Sequence, residues 1–237
     1  MLAQLVDGAL GMAYGVTSAA LLLGLGVPPA LASASVHNAE VFTCGASGFS
    51  HWLAGNVRRP LFLALVVPGV VGAVLGAQVV SRVPPTWMRI ALTPYLLAIG
   101  AFLLLRAWRG GSSDDGTEVP RVSGPLGFIA GFVDAIGGGG WSALTVTALV
   151  ARGAPPRRVI GSVHAAKFVV SIAASLIFLA GVGGAHGDAV LGLIVGGVVA
   201  APIGALFARR LPARVATVLA GCTVFGLGLR NVLSVVG

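Results

Sequence analysis

The side chains able to do chemistry in this chain are few and stand inside long apolar runs: Asp7, His37, Glu40, Asp134, His164 and Lys167, with His51 near the end of one. A charge in hydrocarbon costs roughly 2.5–3.5 kcal/mol even on the mildest scale, so such groups pair with one another or serve a function. His37 lies three residues before Glu40, and His164 three before Lys167, which puts each imidazole on one helix face with a charged neighbour. An imidazole so placed can relay protons or donate to an anion, or it is simply satisfied by a backbone carbonyl. Glu40 and Lys167 carry opposite charge. They neutralise each other across an interface, or they handle a ligand and protons directly; the residue types leave both readings open. Ser33, Ser35 and Asn38 add hydroxyl and amide donors, although hydroxyls in membrane helices often bond back to their own helix.

A second feature lies at Gly131 to Val150, GFVDAIGGGGWSALTVTALV, where Gly137, Gly138, Gly139 and Gly140 interrupt an apolar segment of membrane length. Glycine is a poor helix former, and backbone exposed to hydrocarbon must be satisfied by protein, water or a ligand. Asp134 precedes the break and Trp141 comes after it, so a carboxyl and an indole flank the interrupted backbone. Asp134 either caps the half-helix beyond the break or exchanges protons. Half-helices that start at such breaks aim positive dipole ends and N–H groups at one point, which suits an anion.

The elements that must hold these residues are membrane helices. Of 237 residues, 57% are hydrophobic and only 9% charged, with mean hydropathy +0.98 and 36 glycines, which excludes a soluble globular domain. The net charge of +8 does not indicate nucleic acid, because the arginines fall in short loops between apolar runs, where they orient the chain in the membrane. The start, MLAQLVDGALG, carries no Lys or Arg before its apolar run and no clear cleavage site, so it reads as a retained first helix. Cys44 and Cys222 lie in apolar segments and read as small packing residues. Apolar segments run over Leu2–Leu25, Ala30–Leu53, Leu61–Val80, Met88–Leu105, Leu126–Val150, Val159–Val182, Ala189–Ala208 and Val215–Val236. The polar stretch RAWRGGSSDDGTEVPR divides them four and four, giving a first membrane repeat at 1–105, a connecting loop at 106–122 and a second repeat at 123–237.

The two halves are related. GVPPALASASVHNAE at Gly26–Glu40 aligns without a gap on GAPPRRVIGSVHAAK at Gly153–Lys167. The same register pairs Asp7 with Asp134, Gly11 with Gly138 and Tyr14 with Trp141, so GALGMAYG is the first half's version of the glycine break. Paired interrupted segments mark a transporter site. Gly11 and Gly15, Gly72 and Gly76, and Gly192 and Gly196 are one turn apart and read as close-packing faces. If the broken segments re-enter instead of crossing, the halves are inverted. Arg58, Arg59, Arg106, Arg109, Arg121, Arg152, Arg157, Arg158, Arg209, Arg210 and Arg214 then share one side against Arg82 and Arg89. The positive-inside bias favours that arrangement, with both termini outside. The expected fold is therefore an all-α polytopic membrane protein of two homologous four-segment repeats, inverted, the first segment of each broken or re-entrant at its Gly-rich stretch.

The site expected between the repeats binds a small anion through Gly11, Tyr14, Ser35, His37, Asn38, Gly137, Gly138, Gly139, Gly140, Trp141, His164 and Lys167. Asp7, Glu40 and Asp134 serve proton coupling or ion pairing. A cation or metal transporter using His37, Glu40 and the aspartates is the alternative, though the equivalent of Glu40 in the second half is a lysine, which repels a cation. An intramembrane enzyme is disfavoured, because Ser35 and His37 are two apart on a helix and no serine sits in a nucleophile elbow. No metal or cofactor is implied.

SASVHNAEVFTCGASGFSHWLAGNV at Ser33–Val57 and GFVDAIGGGGWSALTVTALVARGAPPRRVIGSVHAAKF at Gly131–Phe168 resemble the sulfite exporter TauE/SafE family, also described as toluene-sulfonate uptake permeases, and the likeness covers essentially the whole chain. The resemblance implies a multi-pass protein of the cytoplasmic (inner) membrane that moves sulfite, sulfonates or sulfoacetate with proton coupling, homo-oligomerisation being left open. In the second-half motif the family pattern has Asn and Glu where this chain has His164 and Lys167, while the first half keeps His37 and Glu40. That departure bears on proton coupling at position 167.

Overall fold

In a computed structural model the described residues are 14–109, 123–150, 152, 154–183, 190–196 and 213–236. Asp7, Gly11, most of the connecting loop, Arg121, Arg209 and Arg210 lie outside them. Every regular element among the described residues is helical: α1 (Tyr14–Gly24), α2 (Pro29–Leu53), α3 (Arg59–Arg82), α4 (Pro85–Arg109), α5 (Ser123–Gly137), α6 (Trp141–Val150), α7 (Pro156–Val182) and α8 (Ala213–Val236), with a further helical stretch at 190–196. Proline opens several of them, since its fixed φ suits the first turn and its missing N–H has no partner there in any case.

Arg59–Arg82, Pro85–Leu105 and Arg158–Val182 are long and apolar enough to cross a membrane. Leu63, Val67, Val71, Leu75 and Val79 form an exposed stripe down α3, one residue per turn, as an outward face in lipid requires. By contrast α6 has ten residues, about 15 Å of helix at 1.5 Å per residue. That is half of a hydrocarbon core of about 30 Å. The fifth apolar segment is thus two short helices joined at the glycines.

Close glycine contacts give the direction of each helix. Along α3 and α5, Gly127 meets Leu65, Gly131 meets Gly69, and Gly76 meets Phe132 and Ala135, so the two run parallel. A methyl group on Gly76 would stand 2.5 Å from the Phe132 carbonyl oxygen, and one on Gly72 would collide with that of Phe128, so this crossing admits hydrogen only. No described atom lies within 4 Å of a Cβ built on Gly192. Helix α7 also parallels α3, with Val170 beside Gly69 and Gly181 beside Ser81. Helix α2 runs against α7, Gly48 facing Ala165 and Gly45 facing Phe168. Ala154 N–H already bonds Leu149 carbonyl at 3.1 Å and α7 starts at Pro156, so α6 returns to the face from which α5 entered. Helix α1 starts with Gly15 against Gly139 and ends at the opposite face, where Arg89 donates to the carbonyl of Gly26. The starts of α1 and α6 therefore meet at one depth, and the two helices depart toward opposite faces. Arg58, Arg59 and Arg158 lie at one face, Arg82 and Arg89 at the other.

Candidate functional site

The glycine break needs its glycines for two separate reasons. Gly138 (φ +69°) and Gly140 (φ +129°) adopt backbone that side chains disfavour. Gly139 packs directly on the Gly15–Val16 backbone of α1, leaving no space for a Cβ. Gly137 and Gly140 lie against the ring and hydroxyl of Tyr95, which donates to the carbonyl of Gly139. The turn is closed by the Gly139 N–H donating to the Asp134 carbonyl at 3.0 Å.

Asp134, fully buried in the last turn of α5, is the hub of a polar cluster beside this turn. Its Oδ1 accepts the Trp141 backbone N–H at 3.0 Å, capping the start of α6. Its Oδ2 meets His37 Nε2 at 3.1 Å and also receives the ammonium of Lys167. Lys167 reaches Glu40 Oε2 at 2.8 Å, and Ser171 lies 3.5 Å from the same oxygen. His37, Glu40, Asp134 and Lys167 are all buried, so in this low-polarity interior each charge depends on its partners. His37 Nδ1 stands 2.9 Å from the Ser33 carbonyl oxygen and 3.3 Å from the Ser33 hydroxyl, while Nε2 faces the Asp134 carboxylate.

The void at the centre measures about 10 Å³, room for one water, and is lined by Tyr14, Gly15, Glu40, Cys44, Asp134, Gly140, Trp141, Ser142 and Lys167 among others. Other residues named from the sequence stand elsewhere. His164 Nδ1 is 2.7 Å from Ser47 Oγ and its ring meets His51 edge-on, so it faces α2 away from the void. Ser35 donates back to Leu31 at 2.8 Å, and half-buried Asn38 does not line the void. Trp141 turns its indole N–H to the Val163 carbonyl at 3.2 Å and packs on Gly69, anchoring α6 to α7 and α3. Tyr14 lines the void with its hydroxyl donating to Leu193 carbonyl at 3.0 Å. Among His, Glu and Asp, the ligand atoms of His37, Glu40 and Asp134 lie within 4.8 Å of one another, but the Lys167 ammonium is bonded to both carboxylates.

Tyr95 escaped the sequence reading because a single tyrosine in an apolar run has no counterpart in the other half. Cys44 reads from the sequence as a packing residue, and Ser171 is one of several small hydroxyls in apolar runs. Ser33 bonds the Ala135 carbonyl at 2.6 Å and so ties the entry of α2 to the helix that carries Asp134.

Half-membrane helices meeting at a buried ionic cluster define an all-helical multi-pass membrane protein with a central polar site. The model of the family described as Sulfite exporter TauE/SafE matches residues 1–231, and the chain belongs to that family. It is similar to "Probable membrane transporter protein YtnM" of Bacillus subtilis (strain 168), with 41% identity over 241 residues covering 99% of this chain and 80% of that protein. No solved structure matches the chain. As a member of this family it is a membrane transporter and not an enzyme.

Proposed function

We propose that the chain carries a small sulfur-containing anion, such as sulfite, a sulfonate or sulfoacetate, across the cytoplasmic membrane. The site is the meeting point of α1 and α6, and the two halves work as inverted repeats moving alternately around it. One observation carries this reading: the carboxylate of Asp134 takes the α6 N-terminal amide, His37 and Lys167 together. Those are the donors an oxyanion of sulfur needs, and here an internal oxyanion fills them. The void beside it has room for a single water, and in this reading the transported anion enters by displacing Asp134. Proton coupling fits this cluster, since a proton taken up by the Asp134 carboxylate would release Lys167 to the substrate. Glu40 remains as the partner that holds Lys167 in place. The opposite directions of α1 and α6, and of α2 and α7, support the inverted arrangement, and the arginine-rich face is then cytoplasmic.

Proteoliposomes test the reading. Labelled sulfite or sulfoacetate uptake driven by a proton gradient is expected from the wild type, with loss in Lys167→Gln and in Gly139→Leu, whose side chain would strike α1. Uptake unchanged in both variants, or a thermal stabilisation by divalent metal ions and not by sulfur anions, would overturn it in favour of the cation reading.

A further inference from the structure

A large groove among the described residues lies apart from this cluster. It is a groove of about 580 Å³ between α2, α3 and α7, lined by Gly45, Gly48, Phe49, Trp52, Phe62 and Phe168 among others. Among the described residues Arg59 is its one charged lining residue and no acid lines it. We propose that this groove is a site for one membrane glycerophospholipid with an anionic headgroup.

The lining is graded along the membrane normal as such a molecule is. Helix α2 runs toward the arginine-rich face while α3 and α7 run away from it, so Trp52 and Arg59 stand at the mouth and Gly45, Phe168 and Val169 lie deeper. An indole and a guanidinium at headgroup level above apolar walls repeat the layering of the bilayer itself. Phe49 (59% exposed) and Trp52 (63% exposed) form an open lateral side through which a chain can enter from the membrane. Arg58 and Arg158 flank Arg59 at this face: Ser162, one turn after Arg158, accepts the Arg58 backbone N–H at 2.9 Å. Basic pockets between membrane helices suit anionic lipid phosphates. One acyl chain fits the groove along its length, the second chain remaining in the bilayer. Gly45 and Gly48 keep the trough open, since a Cβ on Gly45 would come within 3.1 Å of the Phe168 ring.

The experiment uses full-length protein stripped of lipid in detergent and titrated with phosphatidylglycerol or phosphatidylcholine of identical chains. At a hundredfold excess over Kd, phosphatidylglycerol is expected to raise Tm by about 5–10 °C, and phosphatidylcholine by distinctly less. Arg59→Gln should reduce the phosphatidylglycerol shift to that of phosphatidylcholine, and Arg59→Lys should restore most of it; Arg59 is exposed, so neither change disturbs packing. Glycerol 3-phosphate, the headgroup without chains, should give no shift. Equal shifts from the two lipids, an unchanged phosphatidylglycerol shift in Arg59→Gln, a full shift from glycerol 3-phosphate, or a concentration-dependent dimer that removes the lipid effect would each overturn the proposal. None of these readouts depends on transport.

Discussion

Replacing Asp134 by Asn probes the site most directly, because it removes one charge and almost no volume. The amide oxygen of Asn can still accept the Trp141 N–H now held at 3.0 Å, so the glycine turn and the start of α6 keep their shape. What disappears is the charge-assisted bond from Lys167 and that from His37 at 3.1 Å. If Asp134 occupies the place of the transported anion, the substrate no longer has to displace a competing carboxylate. Glu40 continues to hold Lys167 at 2.8 Å, so only part of the freed attraction becomes available to a ligand. One charged hydrogen bond contributes about 1.5–3 kcal/mol, which corresponds to roughly 10- to 150-fold in affinity. Isothermal titration of purified protein with methanesulfonate, which stays ionised at every working pH, should therefore show tighter binding to Asp134→Asn than to wild type by that factor. Uptake in proteoliposomes should fall in the same variant, because the proton taken up at Asp134 has lost its carrier. Equal or weaker binding would refute the idea that Asp134 stands in for the substrate and would make it a purely architectural cap.

Other substitutions test the surrounding structure. Lys167→Met leaves two buried carboxylates facing each other and should lower stability by about 3–5 kcal/mol, whereas adding Glu40→Gln and Asp134→Asn should recover much of that loss; denaturant titration in detergent and a mutant cycle measure both. Trp141→Ala removes a side chain with no exposed surface and should cost about 3–5 kcal/mol. Trp141→Phe, which loses chiefly the bond to Val163, should cost about 1 kcal/mol. Gly72→Leu should abolish folded protein, judged by monodisperse size-exclusion behaviour, since the α3–α5 crossing leaves no room beside the Phe128 carbonyl. Tyr95→Phe should leave folding intact and lower uptake by loosening the Gly139 turn.

Much of the site was legible in the sequence because it is written as departures from a strong background. An ionisable residue in an apolar run is conspicuous, and the Gly26–Glu40 match with Gly153–Lys167 made position 40 the counterpart of position 167 before any geometry was available. The same register pairs the break at Gly137 to Gly140 with GALGMAYG in the first half. His164 shows where that method fails. It matches His37 in sequence, yet His37 faces α5 and Asp134 while His164 faces Ser47 and His51 of α2. Repeat symmetry equates positions, but the neighbours at each are different helices. Ser35 and Asn38 stand near a helix entry where their residue types suggest ligand donors, but a serine on a helix has its own carbonyl one turn back as the nearest acceptor. Tyr95 was silent because its role comes from α4 passing the glycine turn, a contact with no local signature.

The sequence by itself determined that this is a helical membrane protein, that its fifth apolar segment breaks at Gly137 to Gly140, and which charged residues must find partners, since composition, glycine placement and the cost of buried charge are local properties of the chain. The tertiary structure decided that one carboxylate, Asp134, gathers the α6 amide, His37 and Lys167, and that Glu40 shares the lysine. It did so because the helix crossings, set by hydrogen-sized gaps at Gly69, Gly72, Gly131 and Gly139, fix which of several oppositely charged side chains come within reach.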